Sequence, residues 1–119
     1  MHRIRFVVLG VAVALMPLAA HAQTAPAPAG NADTGKKMYV SYGCYQCHGY
    51  EGQGSSATGP RIAPRPLPFA AFSRYVRRPA GQMPLYTTKV MPDADLAHIY
   101  AYLESRPMPK AVDTIPILK

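Results

Sequence analysis

The pentapeptide Cys44-Tyr45-Gln46-Cys47-His48 constrains this chain more than anything else in it. Its two cysteines are the only ones present, three positions apart, and a histidine follows the second at once. Cys-x-x-Cys-His is the signature of covalent c-type haem attachment, and the chemistry needs that order. Each thiol adds across one vinyl group, and the turn between them sets the next side chain beneath the iron. His48 then offers an imidazole nitrogen as the proximal ligand. A fold begun this way packs its helices around a large apolar body as well as around its own side chains.

Other uses of the same residues fit the sequence less well. A redox-active Cys-x-x-Cys of the thioredoxin kind needs a βαβ setting, and nothing nearby reads as strands alternating with helices. A structural zinc site needs four ligands, usually as two separated pairs. Here Cys47 and His48 are adjacent, and His98 is the one histidine downstream. A disulfide between Cys44 and Cys47 would close too small a loop to stabilise much.

The amino terminus points to export. His2-Arg3-Ile4-Arg5 is a short basic start, residues 6–19 are an apolar run, and Ala20-His21-Ala22 is a small-x-small cleavage site. Residues 1–22 therefore read as a secretory signal peptide, which places the mature protein in the periplasm. The apolar run is shorter than the roughly 20 residues of a membrane span and contains Pro17. An uncleaved anchor is the alternative. No cysteine follows the cleavage site, which argues against a lipoprotein anchor.

Removing 22 of the 119 residues leaves 97, a single small domain that buries only about 60–65% of its unfolded surface. Of 13 Lys and Arg, Arg3 and Arg5 leave with the leader; eleven remain against six Asp and Glu, a formal charge of +5. No Lys/Arg run is long enough to track phosphates, so the basic balance suggests an acidic protein partner and no nucleic acid.

Residues 23–33 are Ala/Pro-rich and read as a flexible spacer, residues 34–107 as the folded domain, and residues 108–119 as a C-terminal tail. Asp33 or Thr34 can cap a helix running to about Tyr42, with Gly43 ending it. Gly35 and Tyr39 share one face of that helix, and a glycine there marks a close crossing with another helix. A second helix starts near Pro92, with Asp93 and Asp95 at its positive end. Leu96, Ile99, Tyr100 and Leu103 form its apolar stripe, and it stops near Ser105 ahead of Pro107 and Pro109. Residues 69–77 can form one short helix in the Gly/Pro-rich stretch between. A loop region this long is normally suspect, but makes sense when it wraps a cofactor.

With these motifs in order, the chain resembles the small monohaem class I c-type cytochromes over residues 34–107. The resemblance rests on Gly35-x-x-x-Tyr39, on Cys44 to His48, on Thr58-Gly59-Pro60-Arg61-Ile62, and on Gln82-Met83-Pro84-Leu85-Tyr86 ahead of the last helix. It implies a mostly α fold, the class I cytochrome c fold, with three to four short helices wrapped around one covalently bound haem c. It implies that Gly35 and Tyr39 meet Tyr100, Tyr102 or Leu103 where the first and last helices cross. It implies that the Pro60 carbonyl accepts the second ring proton of His48 and that Ile62 keeps the apolar contact a leucine makes in relatives. Arg65-Pro66-Leu67-Pro68 is richer in proline than in most relatives, and Met91 stands where they place a capping serine.

The sixth ligand is Met83 by position in that family, with Met91 as the competitor, since it too precedes the last helix. Met38 and Met108 sit elsewhere. His98 falls about opposite the apolar stripe and is expected to point to solvent. Arg61, Arg77 and Arg78 are candidates for the haem propionates. The function implied is single-electron transfer by a His48/Met83-ligated iron, not enzymatic catalysis, in exchange with redox partner proteins. A free shuttle and a cytochrome subunit of a dehydrogenase or oxidase complex suit the sequence equally. A gas-binding or peroxidase-type haem needs an open distal side, which the Met83-Pro84 loop argues against.

Overall fold

The protein, in a computed structural model, is described here over residues 26–118, apart from the side chain at 118. Residues 1–22, read above as a signal peptide, lie outside the described residues, as does the start of the segment read as a spacer. Four α-helices and no strand occur among the described residues: α1 Ala32–Ser41, α2 Tyr45–His48, α3 Phe69–Arg77 and α4 Asp93–Glu104. Two short 3-10 turns, Val112–Thr114 and Pro116–Leu118, follow. The fold is mostly α, as the sequence implied. None of these helices is long and apolar enough to cross a membrane.

α1 starts two to three residues earlier than expected. Asn31 is extended (φ −109°, ψ 122°), and its Oδ1 accepts the Thr34 N–H at 2.8 Å. That is N-cap geometry, so Asn31 takes the role assigned to Asp33 or Thr34. Asp33 instead sits in the first turn, beside the positive end of the helix dipole. After Tyr42 the chain reverses at Gly43, whose φ of 77° suits glycine. This turn delivers the chain into α2, a single helical turn that carries the attachment motif. α3 occupies the residues expected for it. At α4, Pro92 is the N-cap (φ −55°, ψ 155°), and its carbonyl accepts the Leu96 N–H at 3.1 Å. Met91, expected to cap, is instead 1% exposed and belongs to the core.

The core forms where α1 crosses α4. Tyr39, Met91, Leu96, Tyr102 and Leu103 are the largest fully buried side chains. The expected stripe of Leu96, Ile99, Tyr100 and Leu103 is buried throughout, and Ala97 and Tyr102 widen it. Gly35 sets the closeness of the crossing, because a Cβ there would collide with the His98 carbonyl and press on Tyr102. The rings of Tyr39 and Tyr102 meet one turn away, centroids 5.4 Å apart and planes tilted by 50°, a favoured aromatic geometry. Of the contacts expected at this crossing, Tyr102 is the partner. α3 adds Phe72 and Val76, and Phe69 and Phe72 both pack on Tyr100 at 5.2 and 5.3 Å.

His98 does not point to solvent. It is half-buried, and its Nδ1 accepts the backbone N–H of Asn31 at 2.8 Å. Helical periodicity placed it correctly opposite the Leu96–Leu103 stripe, but the chain entering α1 covers that side too. Beyond α4, Arg106 folds back: its guanidinium lies 4.3 Å from the Tyr102 ring centroid and pairs with Glu51 at 2.7 Å.

Because the obstacle at Gly35 is backbone, it cannot rotate away. Gly35→Ala should destabilise the haem-loaded protein by about 3 kcal/mol, the upper range for overpacking, read as a lower urea midpoint. Gly81→Ala meets no atom within 4 Å and should be much milder, its cost set only by the positive φ.

Candidate haem site

Between the helices lies a cavity of about 760 Å³, inside the roughly 300–1,000 Å³ range of cofactor pockets. The attachment motif contributes Cys44, Cys47 and His48 to its lining, and the following loop contributes Pro60 and Ile62. Met83 and Met91 line it from the segment before α4. Phe72 and Val76 of α3, with Leu96, Ile99 and Leu103 of α4, complete an apolar surround.

His48 is held on several sides. It is 8% exposed, and its Nδ1 lies 2.8 Å from the Pro60 carbonyl oxygen. A carbonyl only accepts, so Nδ1 carries the proton and Nε2 keeps its lone pair for a metal. Pro60 can come this close because Gly59 has no side chain: a Cβ there would sit 3.0 Å from the Cys47 carbonyl oxygen and 3.2 Å from His48 Cε1.

The backbone around the motif is tied by groups remote in sequence. Thr58 Oγ1 donates to the Cys47 carbonyl at 2.7 Å, and the Gly54 N–H to the His48 carbonyl at 2.8 Å. The Tyr39 hydroxyl donates to the Gly49 carbonyl at 2.8 Å. α2 is too short to satisfy its own carbonyls, so these three donors serve in place of a next turn. Thr58 appeared in the sequence only as part of a family motif and Tyr39 as a helix-face residue, and no local signal marked the carbonyls they serve.

The two thiols are unjoined and differ in setting: Cys44 is half-buried, whereas Cys47 is exposed. Burial pushes the Cys44 thiol up to about 11, partly offset by a backbone hydrogen bond. Among the described residues no three His, Cys, Asp or Glu side chains come together to hold a metal ion, so a zinc-type centre has no ligand set there. The donors that do converge fit a haem c: two thiols, an imidazole with Nε2 open, thioether sulfurs and an apolar lining.

Met83 and Met91 both reach the cavity lining. Met83 is half-buried in a loop, while Met91 is nearly fully buried. Met38 packs against the core from α1, and Met108 is 58% exposed; neither lines the cavity. Nor does His98. Of the three arginines considered for propionates, Arg61 lines the cavity. Arg77 is committed elsewhere: Nη2 meets Asp93 Oδ1 at 2.6 Å, and Nη1 donates to the Tyr86 carbonyl at 2.9 Å.

Four short helices, with a Cys-x-x-Cys-His turn opening on a haem-sized cavity, define a c-type cytochrome domain. A family model, cytochrome c oxidase, cbb3-type, subunit III, matches residues 30–103, and the chain belongs to that family of c-type cytochromes. No curated protein and no solved structure matches the chain.

The Tyr39 hydroxyl gives the site a pH dependence. Burial, with a smaller contribution from Cys44, holds its ionisation above the usual phenol range. The unfolded chain gives up this proton near pH 10, whereas the folded protein retains it. The associated stability is present below pH ~10 and declines as pH rises above it. Tyr39→Phe should therefore flatten the alkaline fall of the urea midpoint. At pH 7 it should cost about 1 kcal/mol, from the lost hydrogen bond to Gly49.

Proposed function

We propose that this protein is a periplasmic single-electron carrier. It holds one haem c by thioether bonds from Cys44 and Cys47, with His48 and Met83 as axial ligands. The observation that carries this reading is the His48–Pro60 hydrogen bond, which makes Nε2 the metal-binding nitrogen of the neutral ring, in a residue lining the same cavity as Met83. When bound, the haem supplies an iron that alternates between ferrous and ferric states, so one electron moves with no substrate bond made or broken. His48 is kept in one tautomer and one orientation by Pro60, and the proton shared with that carbonyl raises the basicity of Nε2. Met83 offers a soft sulfur that favours the ferrous state and so a higher reduction potential. With Met83 as a ligand, small molecules would be kept off the metal, which disfavours a gas-binding or peroxidase-type role. The choice of Met83 over Met91 rests on its place in the family pattern. The burial of Met91 among core side chains agrees with a packing role for that residue. Ile62, which lines the cavity, would pack against the bound haem.

A second reading is a cytochrome subunit of an oxidase or dehydrogenase complex. It is favoured by the family match, whose name is that of an oxidase subunit. In either reading the iron chemistry and its ligands are the same, and the partners are redox proteins.

Two measurements test the site. Acid-acetone should extract no haem from the wild-type protein, and replacing Cys44 and Cys47 by alanine should leave haem extractable or absent. Free haem from the wild type would end the covalent reading. Met83→Ala should abolish the weak red-region charge-transfer band of methionine-ligated ferric haem and open the ferrous iron to carbon monoxide, while Met91→Ala keeps the band. The reverse pattern would transfer the ligand role to Met91.

A further inference from the structure

The segment that carries Met83 has little packing of its own. It leaves α3 after Arg77 and reaches Tyr86. Along it, Gly81, Gln82, Pro84 and Leu85 are exposed, and a Cβ at Gly81 would meet nothing within 4 Å. Within the segment, the Ala80 carbonyl accepts one long hydrogen bond from the Tyr75 hydroxyl at 3.5 Å, so its position is set chiefly at its ends. At the first end, the Arg78 N–H caps α3 by donating to the carbonyls of Arg74 and Tyr75. At the second end, Tyr86 is gripped three ways. Its N–H donates to the Val76 carbonyl at 3.3 Å, its carbonyl accepts from Arg77 Nη1 at 2.9 Å, and its hydroxyl donates to the Tyr42 carbonyl at 2.7 Å.

Arg77 and Tyr42, two of the three residues that grip Tyr86, are themselves fixed. Arg77 is only 16% exposed despite its charge, and its Nη2 is paired with Asp93 at the start of α4. The Tyr42 hydroxyl donates to Asp95 Oδ2 at 2.6 Å, and the Tyr42 and Tyr86 rings meet edge to face at 6.2 Å. Tyr42 stands two residues before Cys44. One cluster thus joins the end of α1, the end of α3 and the start of α4, and it connects the methionine segment to the residues that lead into the attachment motif.

We propose that Arg77 and Tyr86 are positioning residues for the distal ligand: together they clasp the Met83 segment against the cavity so that its sulfur is held within reach of the iron. The proposal rests on the His48/Met83 reading above and adds to it the residues that enforce it. A loop side chain ligates well only when its support fixes it to a fraction of an ångström. Here that support comes from a guanidinium with two oriented partners and a phenol hydroxyl, since between Arg78 and Tyr86 only Pro79 and Met83 are half-buried. Loosening the clasp leaves the attachment motif and the Tyr39–Tyr102 core in place, but increases the fraction of molecules in which Met83 has left the metal.

The test uses the full-length, haem-loaded protein with Arg77→Met, Arg77→Lys, Tyr86→Phe and Met83→Ala, and Arg74→Met as a control for charge on the exposed face of α3. Arg77→Met and Tyr86→Phe should weaken the red-region band and raise the rate of carbon monoxide binding to ferrous protein. About tenfold is expected for the loss of one such hydrogen bond. Arg77→Lys keeps the charge but reaches one partner at a time, and should restore part of the band. Arg74→Met should match the wild type. If Arg77→Met does not fold, Tyr86→Phe, which removes one oxygen, decides alone. Lower unfolding midpoints with an undiminished band and unchanged carbon monoxide rates would show a merely structural clasp and overturn the proposal. A band that survives Met83→Ala would instead remove the ligand assignment, and the clasp with it.

Discussion

A chain this short that must enclose a cavity of about 760 Å³ cannot draw its stability from side-chain packing alone, since small domains bury a low fraction of their surface. The geometry follows from that constraint. One tightly packed crossing, α1 on α4, is kept dense by Gly35 and by the Tyr39–Tyr102 ring pair. Everything else is arranged as a wall around the cavity. Phe72, Val76, Met91 and Leu96 each serve the core and the cavity lining at once. A flat apolar cofactor held there completes the packing as well as the chemistry.

The Gly/Pro-rich connections raise a second requirement, because backbone groups outside regular structure still need partners. Side chains meet it. Tyr39, Tyr42, Tyr86 and Tyr102 all direct hydroxyls outward from the apolar interior. Three of them reach backbone carbonyls, those of Gly49, Tyr42 and Tyr50, and Tyr42 reaches Asp95. A tyrosine suits this work because its ring packs while its hydroxyl stays bonded. Thr58 does the same for Cys47 over a shorter reach. The rigidity of the His48 turn is thus assembled from residues before and after it in sequence.

Much of this was legible in advance, and the misses share a cause. The short motif, the apolar stripe of α4 and the boundaries of α3 are local patterns, and each is where periodicity and turn residues placed it. The Pro60 carbonyl on His48 followed from family resemblance, not from any local rule. The errors came at element ends and at side chains answering to distant partners. Asn31 competes with Asp33 and Thr34 as a cap, and only the path of the backbone decides among them. His98 was assigned to solvent because helical phase says which way a side chain points and nothing of what the chain lays over it. Arg77 was a propionate candidate by charge and place; in the fold, two of its five N–H donors are engaged by Asp93 and Tyr86 and it does not line the cavity.

That last difference alters the electrostatic picture. Lys36, Lys37, Arg61, Arg77, Arg78 and Lys89 flank the haem-binding segments in sequence, while Asp93, Asp95 and Glu104 gather on the last helix. In the fold, Asp93 lies against Arg77 at 2.6 Å, so the two charges largely cancel at longer range, and Arg106 with Glu51 forms a second such pair. Of the cations named, Lys36, Lys37, Arg61, Arg78 and Lys89 make no salt bridge among the described residues, and Arg61 lines the cavity. Leu67 and Tyr75 line the same cavity and are 57% and 45% exposed, so its mouth also presents apolar surface. At physiological salt, charges are screened over about 8 Å. An encounter guided by a few such cations and closed by apolar contact suits a carrier that must release its partner as readily as it meets it.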